Sequence, residues 1–321
     1  MAQERRRSSA ADADCSHLRY RINYLETNHI YIHDAVDVLP LPIEDHANTH
    51  IWIDVGESPQ DPDPDYLLAF DRFKKLESDC NEDDVELALR GGVFPHRNDQ
   101  AYGHRVGLAT AGGTTVYPHL VPDDDESPFK ITPPKCDLMY GYTATIGNPF
   151  TQRQFVAQMP EYPDHQDHPV FAAATPDGDL RFPFLVVQFK VMPVGARGPR
   201  DDLWVAANEC AVLAASCLTA IKALNHSHCK YRRTEVKDVE EIVYAITVDN
   251  HIARLYVAWI NDNNPWPDSM DLARIGEFVL NRPEDFKYFR MAVHNILEWG
   301  KGDRLDHIKA MLDAIAEVMQ N

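Results

Sequence analysis

The sequence predicts an α/β (α+β) chain, with a mixed central sheet and extra helices on its N-terminal and C-terminal sides. Three observations carry that expectation. Several stretches repeat apolar residues at helical spacing. The stretch 182–190 is a nearly continuous apolar run, and 240–260 holds two more about a short polar turn, all rich in Val, Ile, Phe or Tyr, as strands buried on both faces are. A hydrophobic content of 44% over 321 residues supplies a packed core. The expected organisation is a disordered tail over residues 1–16, one α/β domain over 17–265, and a helical extension over 266–321 packed on the same domain.

Residues 18–60 read as irregular, with a strand expected at "HIWIDV" (50–55) and a stop in the Pro/Asp-rich "SPQDPDPD". In "DYLLAFDRFKKLES" (65–78), Leu67, Leu68, Phe70, Phe73 and Leu76 recur at helical spacing. A second short helix follows at "EDDVELALR" (82–90), with acids in its first turn and a Gly-Gly stop behind it. "GHRVGLATAGGTTVYPHL" (103–120) reads as strand and turn, "PDDDESPFKITPPK" as loop, and "CDLMYGYTATIG" (136–147) as strand. A polar connection, "MPEYPDHQDHP", leads to the strand "RFPFLVVQFK", and "VMPVGARGPRDD" is a Gly/Pro/Arg loop.

The strongest helix pattern is "DDLWVAANECAVLAASCLTAIKALN" (201–225). Asp201 and Asp202 suit its cap, and Leu203, Ala206, Ala207, Cys210, Leu213, Ala214 and Cys217 make one face. Side chains that small imply close packing on a sheet. "EEIVYAITVDNHIARLYVAWI" (240–260) reads as a hairpin. Helices are expected near 269–281, 284–299 and 304–319, the last presenting Leu305, Ile308, Met311, Leu312, Ile315, Val318 and Met319 on one side.

Net charge is −19, which disfavours duplex binding driven by phosphate neutralisation. The acid is uneven, however: residues 34–90 hold 16 Asp/Glu against 4 Lys/Arg, and residues 177–235 hold 6 against 8. No run of about 18 apolar residues stands out, so no spanning helix and no membrane partner are expected. The start "MAQERRRSSAADADC" has no apolar signal core, and the six cysteines form no CxxC pair. A cytoplasmic or nuclear protein with reduced thiols is the expectation.

The end of the strand 181–190 raises the functional question. Side chains alternate along a strand, so Gln188 and Lys190 share a face with Phe184 and Val186. An amide and an ammonium ending a buried face need partners, because a lone buried charge is costly. Asp137, at the start of the strand pattern 136–147, is the natural one.

With "CDLMYGY", "PFLVVQFK" and "DDLWVAANEC" in this order, the chain resembles the PD-(D/E)XK, or restriction-endonuclease-like, superfamily. It is most similar to fungal nuclease-like proteins carrying "pDxxxGy", "PFLxVExK" and "LWxAxNQ". The resemblance runs from about Pro134 to Asn225, with a looser αβββαβ order over residues 82–260. It implies a restriction-endonuclease-like sheet, with Asp137 as the acidic metal ligand, Gln188 at the second ligand position and Lys190 as the motif lysine. Mg²⁺ would be held by Asp137 and Gln188 near a phosphodiester, with Lys190 steadying developing charge. The Phe189 carbonyl would add a ligand, and Glu82, Glu86 or Glu209 would complete the site. Arg197, Arg200, Asp202, Trp204 and Asn208, on the following loop and helix, would face the substrate.

Gln188 departs from the family pattern, since an amide brings no charge. Either Glu209 supplies that charge, or hydrolysis has been lost. Three functions follow: a metal-dependent enzyme acting on a nucleic-acid backbone; a transferase using charged tRNA, of the arginine-containing cyclodipeptide synthase kind; or a non-catalytic interaction module in which Lys190 merely neutralises Asp137. His165 and His168 in "DHQDH", and "HSHC" (226–229), have ligand-type residues but no second pair, so solvated histidines are expected. "GLATAGGTT" lacks the GK[ST] of a phosphate loop and reads as a turn, and "KYRR" (230–233) reads as a helix end that either contacts phosphate or is solvated.

Overall fold

The computed structural model describes residues 15, 19–34, 39–53, 64–76, 80–95, 108–124, 127–144, 148–158, 174–175, 179–191, 202–231, 239–262, 264, 266 and 268–319. Of the expected tail, only Cys15 falls among them. The helices are α1 (Leu41–His50), α2 (Pro64–Phe73), α3 (Glu82–Leu89), α4 (Gln152–Ala157), α5 (Asp202–Tyr231), α6 (Pro283–Lys301) and α7 (Asp303–Met319). The strands are β1 (Ile30–His33), β2 (Leu108–Ala111), β3 (Thr114–Thr115), β4 (Lys135–Cys136), β5 (Leu138–Thr143), β6 (Leu180–Phe189), β7 (Ile242–Val248), β8 (Ile252–Ile260) and β9 (Met270–Val279).

Seven strands form a mixed sheet in the order β1-β9-β8-β7-β6-β5-β2, and β3 pairs with β4 in a separate ribbon. The pairs β6–β7 and β1–β9 are parallel and the rest antiparallel. Parallel neighbours need a long crossover, and α5 is the one between β6 and β7. Along the chain, α3, β2, β5, β6, α5 and β7 follow an α-β-β-β-α-β order, with the ribbon strands β3 and β4 inserted between β2 and β5 and the short helix α4 between β5 and β6.

The central strands of the sheet, β5, β6 and β7, are buried on both faces. One is covered by α5, whose Ala207, Cys210, Ala211, Leu213, Ala214 and Cys217 pack with Val186, Val243, Ala245, Tyr256 and Ala258. Over Leu203–Cys229 this helix is long and apolar enough to cross a membrane, but most of that length is buried inside the fold. The other face carries Phe184, Val187, Phe189, Tyr244, Ile246 and Leu255 against α6, α7 and the helices α1–α3, so Phe184 does not share the face of Val186 as strict alternation predicts.

Three expectations fail, for physical reasons. Residues 269–281 were expected to be helical, but 270–279 form β9. A bulge lies opposite Leu255 and Tyr256, which pair with Gly276 and Arg274 and leave Ile275 over. The extra residue switches the phase of in-out alternation. Met270 and Leu272 therefore face α5 and Phe278 faces α6, a spacing that imitates a helix. The segment after residue 265 thus supplies a sheet strand as well as two helices. No strand forms over 50–53, because His50 ends α1 and Ile51–Trp52 is a turn; residues 54–55 lie outside the described set. Nor are residues 18–60 irregular throughout: β1 and α1 lie within them. The buried face of α1 is Ile43, His46 and Ala47, so one of its three buried residues is a histidine, bonded to the Tyr244 hydroxyl at 2.9 Å.

The C-terminal helices belong to the main core. Ile308 is wholly buried, while Met319 is 40% exposed. Ile308→Ala is expected to lower stability by about 2–5 kcal/mol, and Met319→Ala by no more than about 0.5 kcal/mol. Urea unfolding of the two variants checks this; equal effects would contradict the packing described.

Candidate active site

The site is made where two strands part. The β5–β6 ladder runs down to the pair Leu138–Val187. One step earlier in the chain, Lys135–Cys136 has left β6 to pair with β3. Side chains bridge the gap. The Asp137 N–H donates to Gln188 Oε1 at 2.8 Å, and the Phe189 N–H donates to Asp137 Oδ2 at 2.8 Å. Gln188 Nε2 donates to the Lys135 carbonyl at 2.9 Å and to Glu209 Oε2 at 3.2 Å. Gln188 is 1% exposed, so these bonds satisfy an amide that water does not reach.

The Gly-Gly pair of "GLATAGGTT" turns β2 into β3 and holds this parting open. The Gly113 N–H donates to the Cys136 carbonyl at 2.7 Å, with Gly113 at φ +68°. A Cβ on Gly112 would stand 2.7 Å from the Asp137 carbonyl oxygen, so only glycine lets that backbone pass.

Lys190 follows β6, its N–H anchored on the Val248 carbonyl at 2.9 Å. Its ammonium is shared between Glu82 Oε1 at 3.6 Å and Glu209 Oε2 at 3.8 Å. Glu82 opens α3 behind the N-cap Asn81, whose capping box with Asp84 fixes that helix end. Side-chain exposure rises from 19% at Glu209 to 34% at Lys190 and 44% at Glu82, so the cluster opens to solvent on the α3 side.

Several acids share one ammonium, and the titration behaviour follows. Burial, then the nearby Glu82 and Glu86 charges, push Asp137 up to about 6, against the pull of the Phe189 N–H and Lys190. Burial also raises Glu209, reinforced by Asp137 and Glu82 and opposed by Lys190 and Gln188. Burial alone would lower Lys190, but Glu209, Glu82 and Asp137 together raise it. The lysine has several carboxylates; each carboxylate has only a share of one lysine.

Asp137, Gln188, Lys190 and Glu209 are thus brought together, with Glu82 as the α3 acid. Glu86 pairs with Arg90 one helical turn on. Trp204 and Asn208 are engaged by the N-terminal segment instead. Asn208 accepts from Arg21 Nε at 2.8 Å and donates to the Cys15 carbonyl at 2.9 Å, and the Arg21 guanidinium lies 5.0 Å over the Trp204 ring. Arg197 and Arg200, His165 and His168, and the arginines of "KYRR" lie outside the described residues, as does the side chain of Asp202. In "HSHC", His228 is buried whereas His226 and Cys229 are exposed. Sequence reasoning missed two main-chain partners, the Lys135 carbonyl and the Phe189 N–H, and the part of Gly112; the adjacent glycines were the available signal.

For a hard divalent cation the donors are oxygens of the right kind. Asp137 Oδ2 and Gln188 Oε1 are already taken up by main-chain N–H groups. Among the described residues, no three His, Cys, Asp or Glu side chains are gathered as a ready-made metal cage.

The sequence matches the family described as "Domain of unknown function (DUF7924)" over residues 69–312. The chain belongs to this family. The DUF7924 match begins within α2, ends within α7 and contains every residue of the cluster, while β1 and α1 precede it. Among curated proteins, none matches this DUF7924 chain.

The raised Asp137 carboxyl predicts a pH dependence. Between the ordinary value of 3.8 and about 6, the folded protein keeps a proton that the unfolded chain has released. Stability therefore falls as pH rises through that window and then levels. Asp137→Asn removes the ionisation and keeps an oxygen for the Phe189 N–H. Its stability relative to wild type should climb from pH 4 to pH 6 and flatten above. The gain is at most about 3 kcal/mol at about 1.4 kcal/mol per unit, and less to the extent that solvent screens this partly exposed group. Urea unfolding without divalent cations, at pH 4 to 8, measures it; a difference independent of pH would contradict the assignment.

Proposed function

We propose that this DUF7924 chain is a metal-dependent phosphodiesterase of the PD-(D/E)XK kind, acting on a nucleic-acid backbone. The observation that carries the reading is the convergence of Asp137, Lys190 and Glu209 where β5 and β6 part, within an α-β-β-β-α-β order. In this reading Glu209 takes the part of the missing strand acid from helix α5. Gln188 serves as the frame that holds Asp137 and Glu209 in place.

The donor chemistry fits Mg²⁺. The Asp137 and Glu209 carboxylates and the Phe189 carbonyl are hard oxygens. Acids in excess over a single ammonium leave negative charge that a divalent cation would neutralise. When bound, the ion would polarise a phosphoryl oxygen and make its water more acidic. Lys190, kept protonated by its carboxylates, would stabilise charge gathering on the phosphoryl oxygens. The open α3 side gives a backbone access, which a sealed salt bridge would not.

The test is incubation of the purified full chain with single-stranded DNA, duplex DNA and RNA, in Mg²⁺, Mn²⁺ or EDTA. Cation-dependent cleavage is expected, reduced roughly 10²–10³-fold by Lys190→Ala, the scale seen for loss of one transition-state donor, and abolished by Asp137→Ala. Cleavage of no substrate with either ion, or full activity in both variants, would overturn the proposal.

A further inference from the structure

Helices α2 and α3 leave a groove of about 730 Å³ between them, within the size range of small-molecule sites. Asp84, Leu87 and Ala88 line it from α3. At about 100° per residue they lie on the face of that helix opposite Glu82, so the groove is separate from the cluster around Lys190. Arg72 lines it from α2, and Lys75, Leu76 and Cys80 from the connection that follows. Leu76, Cys80, Leu87 and Ala88 make an apolar surface. Leu87 is left 59% exposed, although Val85, Ala88 and Leu89 beside it are buried. Covering that leucine would remove apolar area from water, which favours an apolar occupant.

The charged side chains differ in how they are engaged. Lys75 holds Asp71 Oδ2 at 2.9 Å, whereas among the described residues no carboxylate holds Arg72. Asp84 accepts from the Asn81 N–H through Oδ2 at 3.0 Å. The groove therefore joins an apolar floor to one uncommitted guanidinium, in a chain whose net charge is −19.

We infer that this groove binds an amphipathic carboxylate, its apolar body on Leu76, Leu87 and Ala88 and its head on the Arg72 guanidinium. Charge decides the head group. One unpaired guanidinium matches one negative charge, and its fork fits both carboxylate oxygens. Asp71 and Asp84 nearby would repel a dianion such as a phosphate monoester more strongly. A cationic head would meet Arg72 and Lys75 instead.

The rival role is a furrow between two helices that only water fills. Calorimetric titration of decanoate, decanol and decyltrimethylammonium into the full chain separates the two. Decanoate is expected to bind saturably at one per chain, about tenfold or more tighter than the other two, the scale of a hydrogen bond to a charged group. Arg72→Gln should bring decanoate down to the level of decanol, and Leu87→Asp should weaken it likewise. Both side chains are exposed, so neither change disturbs the core. Cys80, half-buried in the lining, locates the occupant. Decanoate should slow its alkylation by N-ethylmaleimide, read by peptide mass spectrometry, and leave the exposed Cys229 unaffected. No saturable decanoate binding, equal affinity for all three compounds, or full affinity in both variants overturns the inference. Equal protection of Cys80 and Cys229 does so too. Should Cys80 fail to react in the free chain, the two variants decide.

Discussion

The buried carboxamide of Gln188 is the interaction on which the site depends. It sits where β5 leaves β6, and it must satisfy both ends of its amide without water. Its oxygen accepts from the Asp137 main chain, and its nitrogen donates to the Lys135 carbonyl and to Glu209. One side chain thus replaces the ladder bonds lost at the parting and ties α5 to the sheet. A glutamate here could not donate to Lys135 or Glu209. It would add a buried charge beside two acids whose ionisation burial already opposes. The amide makes the Asp137–Glu209 pairing tolerable, which is why it is better understood as a frame than as a vacancy in a motif.

The rest follows from close approach. The small residues of α5 let that helix lie near β6 and β7, and its position carries Glu209 to Gln188 and Lys190. Gly112 lets the Asp137 backbone pass, and the capping box of α3 sets Glu82 at the open edge. The outcome is a graded cluster, dry at Gln188 and wet at Glu82, with more carboxylates than cations.

Much of this was legible in the sequence because it is local. The run "FPFLVVQFK", the small-residue helix and the hairpin each signal themselves within a few residues, and period-two alternation sets Gln188 and Lys190 on one face. What was illegible depends on distant partners. β9 imitates a helix because a bulge against β8 shifts its phase. The face of α1 includes a histidine whose partners, Tyr244 and Glu240, lie almost 200 residues further on. Trp204 and Asn208 were expected at the substrate, but Arg21 and Cys15, more than 180 residues earlier, engage them. No spacing within the helix could announce that. The acid at Glu209 was readable as a candidate, whereas its bond to Gln188 was not.

The most direct test of a metal-dependent centre is where a divalent cation binds. Anomalous diffraction from crystals soaked in Mn²⁺, which takes the same hard oxygen ligands as Mg²⁺, locates it. A peak bound by the Asp137 and Glu209 carboxylates, lost in Glu209→Gln, is the expected result. The contradicting result is density showing Lys190 still shared between Glu82 and Glu209, with no Mn²⁺ at Asp137, in crystals of protein that cleaves nucleic acid.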